Sequence, residues 1–288
     1  SLARRVAASS NRLPIISRLD SPLHVVVRGV GITANQVRAV YQQALRRCQL
    51  LATELLMGVK HVIVEEAWDD FIQSQIMASK NFGKDRAIRC SLLSHILWSD
   101  IRSRMVDCIR DGIVIFRNAE ASSYLSKYDD YVKNLILVIH LGSVMPARGT
   151  ELSTYKILHG RSSKRNIFLL GKKVFFFNVS IARPGQCFKP TGPSHGFLDT
   201  TASQIMLTDI MALRPFVCSL ASFLSNDEDC VYNVSLFVLD GVQMDSETIR
   251  HVFANLFTTY SGSAVSFADY RHLVKYNSDA YRRGRQLR

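Results

Sequence analysis

Two arginines stand in short polar segments whose residue types could bind phosphate. Arg148 lies in 146–152 (PARGTEL), and Arg271 lies in 269–272 (DYRH), 123 residues further on (271 − 148). A guanidinium presents its N–H donors in a planar fork that matches the oxygens of a phosphate or a carboxylate. Each segment also contains a carboxylate, so an ion pair within the segment is the simpler alternative for each arginine alone.

The overall charge favours a polyanionic partner. The 288-residue chain has 36 lysine and arginine residues against 24 acidic residues, which gives a net charge of +12. A surplus of this size, spread along the chain, is more typical of proteins that bind nucleic acid than of proteins that bind membranes. A basic surface that is only solvated is the alternative. No apolar run approaches the roughly 20 residues that cross a bilayer, so no membrane partner is expected.

The motifs exclude several kinds of chemistry. The sequence has no Walker-type phosphate loop, no complete dinucleotide-binding glycine pattern, no nucleophile elbow and no H-E-x-x-H zinc motif. Its six cysteines form no C-x-x-C pair, and no histidine pair has zinc spacing. We therefore expect neither a metal nor another cofactor, and we interpret the cysteines as thiols in a reducing compartment.

The first part of the chain is predicted to be helical. Apolar residues recur at three- and four-residue spacing over 33–56, 65–77 and 87–109. Residues 1–20 are basic and irregular, which favours a linker or an arm that contacts phosphate. We expect a basic arm or linker over 1–20 and a helical domain over 21–122.

The second part is predicted to mix helices with a small sheet. A helix over 123–144 leads into the Arg148 segment, and two β-rich runs, 166–170 and 174–178, flank a glycine-containing turn and predict a hairpin. The prolines and glycines of 183–196 predict a loop. Further helices are predicted over 201–214, 215–224, 246–258 and 267–281. The expected fold class is mainly α with a small β-sheet (α+β), with a second domain over 123–288.

Four short segments together resemble a known family. They are 143–152 (SVMPARGTEL), 165–168 (RNIF), 213–216 (LRPF) and 267–272 (FADYRH). Residues from about 131 to 281, roughly the second half of the chain, resemble the catalytic domain of tyrosine recombinases. The form that they resemble is found in fungal proteins similar to telomere-linked RecQ-type helicases and mobile-element products.

The resemblance assigns catalytic roles to Arg148 and Arg271. In the family, a tyrosine attacks a DNA phosphodiester, and two arginines hold the non-bridging oxygens while negative charge builds on them. The resemblance implies that strands are broken and rejoined through a 3′-phosphotyrosine, without metal or ATP. In a complete relative this is a site-specific recombinase, a DNA strand-exchange enzyme.

Two catalytic positions depart from the family pattern. The histidine that begins the second box corresponds to Ala268, and His272 could replace it only with a different geometry. The family's lysine, the general acid for the leaving 5′ oxygen, has no counterpart near Arg183, where related fungal proteins place it. Lys172 on the hairpin turn is the candidate instead, since an arginine is a poor proton donor.

The nucleophile of the family falls outside this sequence. A Gly-His box and then the tyrosine follow the second arginine at a greater distance than the 17 residues that remain here (288 − 271). Tyr276 and Tyr281 lie too close, on the same predicted helix as Arg271. We expect a recombinase-like domain truncated at its C-terminus, part of a longer protein, and inactive in cleavage as given.

The charge and the resemblance predict a DNA-binding module, and the resemblance alone implies a location in the nucleus. The resemblance also implies that the helical domain over 21–122 clasps DNA like the core-binding domain of the family. It further implies double-stranded DNA as partner, self-association on DNA, and a helicase region in the same longer polypeptide. A non-catalytic DNA-binding or interaction module of a larger chromosome-end or transposon-derived protein is one alternative. A helical scaffold, in which the two arginines would lie far apart, is the other. The predicted catalytic set is Arg148, Arg271, His272 and Lys172, and the predicted DNA contacts are Arg148, Lys172, Lys173, Arg183, Arg271, Arg282 and Arg283.

Overall fold

The computed structural model describes residues 16–18, 24–27, 30–58, 102–143, 146–157, 165–170, 173–178, 194–225 and 230–274. These residues are mostly helical with small antiparallel sheets, which is the expected α+β class. The helices are α1 Ala34–Leu55, α2 Arg102–Met105, α3 Asn118–Gly142, α4 Gly149–Leu152, α5 Thr200–Thr208, α6 Arg214–Ser225, α7 Ser246–Ser261 and α8 over 267–274. The strands are β1 Ile16–Arg18, β2 His24–Val27, β3 Val30–Thr33, β4 Val106–Arg110, β5 Ile113–Phe116, β6 Ile167–Leu170, β7 Lys173–Asn178, β8 Ser194–Phe197, β9 Val238–Leu239 and β10 Val242–Gln243. The helix predicted over 65–77 lies outside the described residues.

Helices α1 and α3 pack against each other in the core. The start of α1 is fixed by a capping box: the Thr33 hydroxyl accepts the Gln36 N–H at 3.1 Å, and the Gln36 side chain accepts the Thr33 N–H at 2.8 Å. Where α1 ends, the Tyr124 hydroxyl of α3 donates to the Leu55 carbonyl at 3.0 Å. Helix α1, which the sequence pattern placed in the N-terminal domain, thus shares one hydrophobic core with α3, α5 and α7.

The prediction of one helix over 87–109 is wrong at its C-terminal end. The helical segment α2 stops at Met105, and β4 then pairs antiparallel with β5. Asp111 and Gly112 form the turn between them, with φ of 50° and 78°. An Asp-Gly pair favours a two-residue hairpin turn of this kind, and this local preference breaks the helical pattern.

The hairpin predicted over 166–178 is confirmed, and a third strand joins it. β6 pairs antiparallel with β7, and β8 pairs with the other edge of β7, with Gly196 opposite Phe176. The prediction of a loop that extends to residue 196 is therefore wrong for β8. A Cβ at Gly196 would lie 3.6 Å from the hydroxyl oxygen of Ser143, so this sheet meets the C-terminal end of α3.

Helices α5 and α6 are joined without a break by the π-helical segment Asp209–Leu213. Here the Arg214 N–H donates to the carbonyl of Asp209, five residues earlier, which is the hydrogen bond of a π-helix. The whole stretch Thr200–Ser225 is longer than any apolar run that we expected from the sequence. By length and composition it could cross a membrane, but 61% of its apolar window is buried in the protein, as in a core helix.

Candidate nucleic-acid interface

The two arginine-containing segments meet at the C-terminal end of α3. Helix α8 lies against this end, where the Tyr270 hydroxyl donates to the Leu141 carbonyl at 3.2 Å. One residue further along α8, Arg271 donates from Nε to the Pro146 carbonyl at 3.0 Å. Pro146 is two residues before Arg148, so a contact across 125 residues of sequence brings the two segments together. We call this region the Arg148–Arg271 junction.

Arg148 sits at the start of the single-turn helix α4 with its side chain partly in solvent. Its backbone N–H donates to Oε2 of Glu151 at 2.7 Å, which fixes the start of the turn. Its Nε lies 3.7 Å from Oε1 of the same carboxylate, and its side chain is 40% exposed, against 11% for Glu151. An ion pair of this length in partial contact with water is weak. The guanidinium therefore remains accessible to a phosphate.

A buried histidine lies behind the junction. The ring of His140, near the end of α3, stacks on Phe267 of α8 with 3.7 Å between centroids and meets the edge of Phe253 at 5.0 Å. Burial, and then the positive charge of Arg271, hold the pKa of His140 well below its usual range, against a smaller opposite effect of the Phe267 backbone. The ring is therefore neutral, and the charge of the junction belongs to its arginines.

The histidine candidate lies beside Arg271 on a different face of α8. Successive residues of an α-helix point about 100° apart, so His272 and Arg271 do not share a direction. His272 is exposed to solvent. Ala268, three residues before Arg271 and therefore on its side of the helix, has no group that could donate or accept a proton.

Of the two hairpin lysines predicted to contact DNA, Lys173 lies among the described residues and Lys172 does not. Lys173 is exposed and pairs with Leu170 next to the β6–β7 turn. Phe176 is the residue of β7 at the level where the sheet meets α3. Lys173 lies three residues from Phe176 along the strand, a separation of about 10 Å. The remaining predicted cations lie outside the described residues: Lys172, Arg183, Arg282 and Arg283.

A lysine that the sequence reasoning missed lies close to α4. Lys156 donates from Nζ to the Ser235 hydroxyl at 2.7 Å and to Oε1 of Gln243 at 2.6 Å. The Gln243 amide in turn donates to the carbonyl of Ser153, where α4 ends. Burial lowers the pKa of Lys156. No local pattern in the sequence indicates this role, because the partners of Lys156 lie about 80 residues away.

Another arginine of the resembling segments is a structural residue. The side chain of Arg214 is 3% exposed and pairs with Asp209 at 2.7 Å. All five N–H groups of its guanidinium have acceptors: Nε and Nη2 donate to Oδ2 of Asp209, Nη2 also donates to the Leu236 carbonyl, and Nη1 donates to the carbonyls of Tyr232 and Ser235. Burial alone would lower the pKa of Arg214, but the Asp209 carboxylate raises it above its ordinary value. We call this arrangement the Arg214 clamp.

The segment 165–168 (RNIF) also has a structural role. The Asn166 side chain accepts the Lys156 N–H at 2.7 Å and donates to the Thr154 carbonyl at 3.2 Å. It thereby attaches the start of β6 to the residues that follow α4. Arg165 places its guanidinium 5.0 Å from the centre of the Phe168 ring, a cation–π contact.

Comparison of the chain with protein-family models, with curated proteins and with solved structures gave no match. Among the described residues, no group of three or more histidine, cysteine, aspartate and glutamate side chains could hold a metal ion. The arginines of the junction can hold an anion by charge and by hydrogen bonds.

Proposed function

We propose that the chain is a DNA-binding module that contacts the phosphate backbone of double-stranded DNA through Arg148 and Arg271, in a tyrosine-recombinase-like arrangement. The observation that carries the proposal is the hydrogen bond from Arg271 Nε to the Pro146 carbonyl, which joins the two segments. The scaffold alternative predicts that the arginines lie far apart, so this contact favours the DNA-binding alternative.

Charge and exposure support the same proposal. The chain has a net charge of +12, and the Arg148 side chain is 40% exposed, with only a long ion pair to Glu151. Buried His140 adds no charge at the back of the junction, because its pKa is low. A phosphate that binds Arg148 would compete with a long, partly solvated ion pair rather than with a strong one.

Strand cleavage is proposed only for a complete relative. Tyr270, next to Arg271, is buried, and its hydroxyl donates to the Leu141 carbonyl. Burial raises its pKa to about 12, so it is not available as a nucleophile. Alanine also stands at position 268, where the resemblance to the family places a histidine. These two observations favour a second candidate function, a non-catalytic DNA-binding module of a larger nuclear protein that is derived from a mobile element or acts at chromosome ends.

A salt titration of DNA binding tests the proposal. A fluorescent duplex is titrated with the chain at several KCl concentrations, and the logarithm of the association constant is plotted against the logarithm of salt. Arg148→Gln and Arg271→Gln should each reduce the steepness of this plot by about 0.9, which is the value for one lost phosphate contact on duplex DNA. The double variant should reduce it by about 1.8.

The matched control is Arg117→Gln. Arg117 is exposed at the opposite end of α3, and the 25 residues of that helix span about 38 Å. This variant loses the same charge but should leave the slope unchanged. Equal losses in all three single variants would mean that binding follows net charge alone, and absence of binding at low salt would refute the proposal.

A nicked suicide duplex separates binding from cleavage. Such a substrate loses its leaving strand after attack and traps a covalent protein–DNA product. We expect no covalent product from the 288-residue chain. A product would refute the non-catalytic alternative, and peptide mapping of the attached residue would identify the nucleophile.

A further inference from the structure

A cavity of about 460 Å³ opens between α3, α6 and the residues 230–232 and 240–241. It lies at the N-terminal half of α3, whereas the Arg148–Arg271 junction lies beyond its C-terminal end. Leu125 lines the cavity, and 17 residues along the helix separate Leu125 from Gly142, a distance of about 25 Å. The cavity is therefore separate from the proposed DNA contact, and its volume is in the range of small-molecule sites.

The floor of the cavity contains a buried carboxylate with an unused oxygen. Asp129 is 5% exposed, and its Oδ2 accepts the backbone N–H of Asp240 at 3.3 Å. Its Oδ1 is buried and has no hydrogen-bond partner among the described residues. A buried ionised carboxylate without a full set of donors is costly, so a donor that enters the cavity would stabilise it.

The cavity is acidic although the chain is basic. Asp129 and Asp240 both line it, and the described residues of its wall include no lysine, arginine or histidine. Burial, and then the neighbouring Asp240 carboxyl, raise the pKa of Asp129 to about 7, while the Asp240 N–H and more distant Lys133 act in the opposite direction. Two carboxyl groups that interact directly both ionise readily only when a cation lies beside them.

The remaining wall combines an apolar part with three serines, Ser122, Ser126 and Ser225. Leu125 of α3, Ala221 and Leu224 of α6, and Val231 line the space beside the two carboxyl groups. A ligand that fits this surface has a positively charged donor at one end and a compact apolar body at the other. A bare metal ion fits less well, because no group of three metal-binding side chains occurs among the described residues.

We propose that this cavity binds a small organic cation, a protonated amine with a compact apolar body. The ammonium group donates to Asp129 and Asp240, and the apolar body lies against Leu125, Ala221 and Leu224. The same chemistry could be offered by a lysine side chain of another protein. The cavity volume and the burial of Asp129 favour a free small molecule.

Binding of 2-phenylethylamine, compared with its neutral analogue 2-phenylethanol, tests the proposal. Both are titrated into the ¹⁵N-labelled 288-residue chain at about pH 8, above the pKa of Asp129 and where the amine remains charged. The amine should shift the backbone resonances of Ser126, Val231 and Gly241. It should bind roughly tenfold or more tightly than the alcohol, because only the amine forms a charge-assisted hydrogen bond.

Two variants and one control locate the preference. Asp129→Asn keeps the shape of the side chain and should remove the difference between amine and alcohol. Asp240→Asn should reduce the same difference in affinity, and it provides the test if Asp129→Asn does not fold. Position 240 has a φ of 49°, which asparagine tolerates. Asp130→Asn is the control, since Asp130 is exposed, lies outside the cavity wall and pairs with Lys133.

Three results would overturn the proposal. The first is equal affinity for the amine and the alcohol, and the second is unchanged discrimination in both cavity variants. The third is tighter binding of an Nα-acetyl-lysine amide than of 2-phenylethylamine, which would identify a protein side chain as the occupant. None of these results depends on DNA binding, so the proposed function is tested separately.

Discussion

The Arg214 clamp and the Arg148–Arg271 junction use the same side chain in different surroundings. The guanidinium of Arg214 is buried, and each of its N–H groups meets an acceptor of the protein itself. Arg148 is 40% exposed and faces a carboxylate at 3.7 Å. Both arginines lie in segments from which the sequence analysis predicted a recombinase-like domain. An arginine in such a segment can therefore have a folding role in one place and be a candidate binding residue in another.

The largest expected effect is the loss of the clamp. Arg214→Met should destabilise the protein by about 3–5 kcal/mol, because it leaves the Asp209 carboxylate buried without its counter-ion. Arg271→Met removes the hydrogen bond to the Pro146 carbonyl and should cost less, about 1–2 kcal/mol. Urea unfolding of both variants measures the difference, and equal losses would show that the junction is as much a folding element as the clamp.

A smaller effect is expected from the asparagine of the RNIF segment. Asn166→Ala removes two hydrogen bonds, to Lys156 and to Thr154, and should cost about 1–2 kcal/mol. DNA affinity at fixed salt should not change, because Asn166 acts on the attachment of β6. If affinity fell while the unfolding midpoint stayed constant, the segment would belong with the junction rather than with the clamp.

The smallest effect is a pH dependence of stability at the junction. His140 has a folded-state pKa well below that of an unfolded histidine, about 6.5, so the unfolded chain binds more protons below this pH. The contribution of His140 is fully present above about pH 6.5 and is lost as pH falls, at no more than about 1.4 kcal/mol per pH unit. Unfolding midpoints measured from about pH 7.5 down to about pH 5, roughly one unit or more on either side of the unfolded-state pKa, would show the slope.

The control for this titration is a second histidine. His140→Leu should remove the slope that belongs to the junction, whereas His251→Leu, at a side chain that is 73% exposed, should leave it. A slope that survives in His140→Leu would mean that other groups cause the acid sensitivity. Arg214 remains charged throughout this range, so the clamp itself should contribute none.

Sequence periodicity predicted the elements that are long and amphipathic. Helices α1 and α3 and the β6–β7 hairpin are confirmed, because apolar spacing and turn residues act locally. Strand β8 was not predicted, since it is short and joins β7 only through tertiary pairing. The β4–β5 hairpin was missed although Asp111 and Gly112 carried the signal for it.

The candidate site was predictable in type but not in geometry. The sequence could identify Arg148 and Arg271 as arginines in polar segments, and it could not show that Arg271 contacts the Pro146 carbonyl. The clamp depends on a π-helical turn and on carbonyls about 20 residues away, which no local pattern encodes. The role of Asp129 likewise depends on Asp240, 111 residues further on.

The contact of α8 with α3 has a consequence for the order in which the protein matures on the ribosome. His140 and the Arg148 segment emerge long before Phe267, Tyr270 and Arg271, which supply the ring and the donors that complete this end of α3. Until α8 arrives, the nascent chain leaves aromatic surface at the end of α3 uncovered, the kind of surface that chaperones hold. The junction therefore closes only after most of the core has been synthesised.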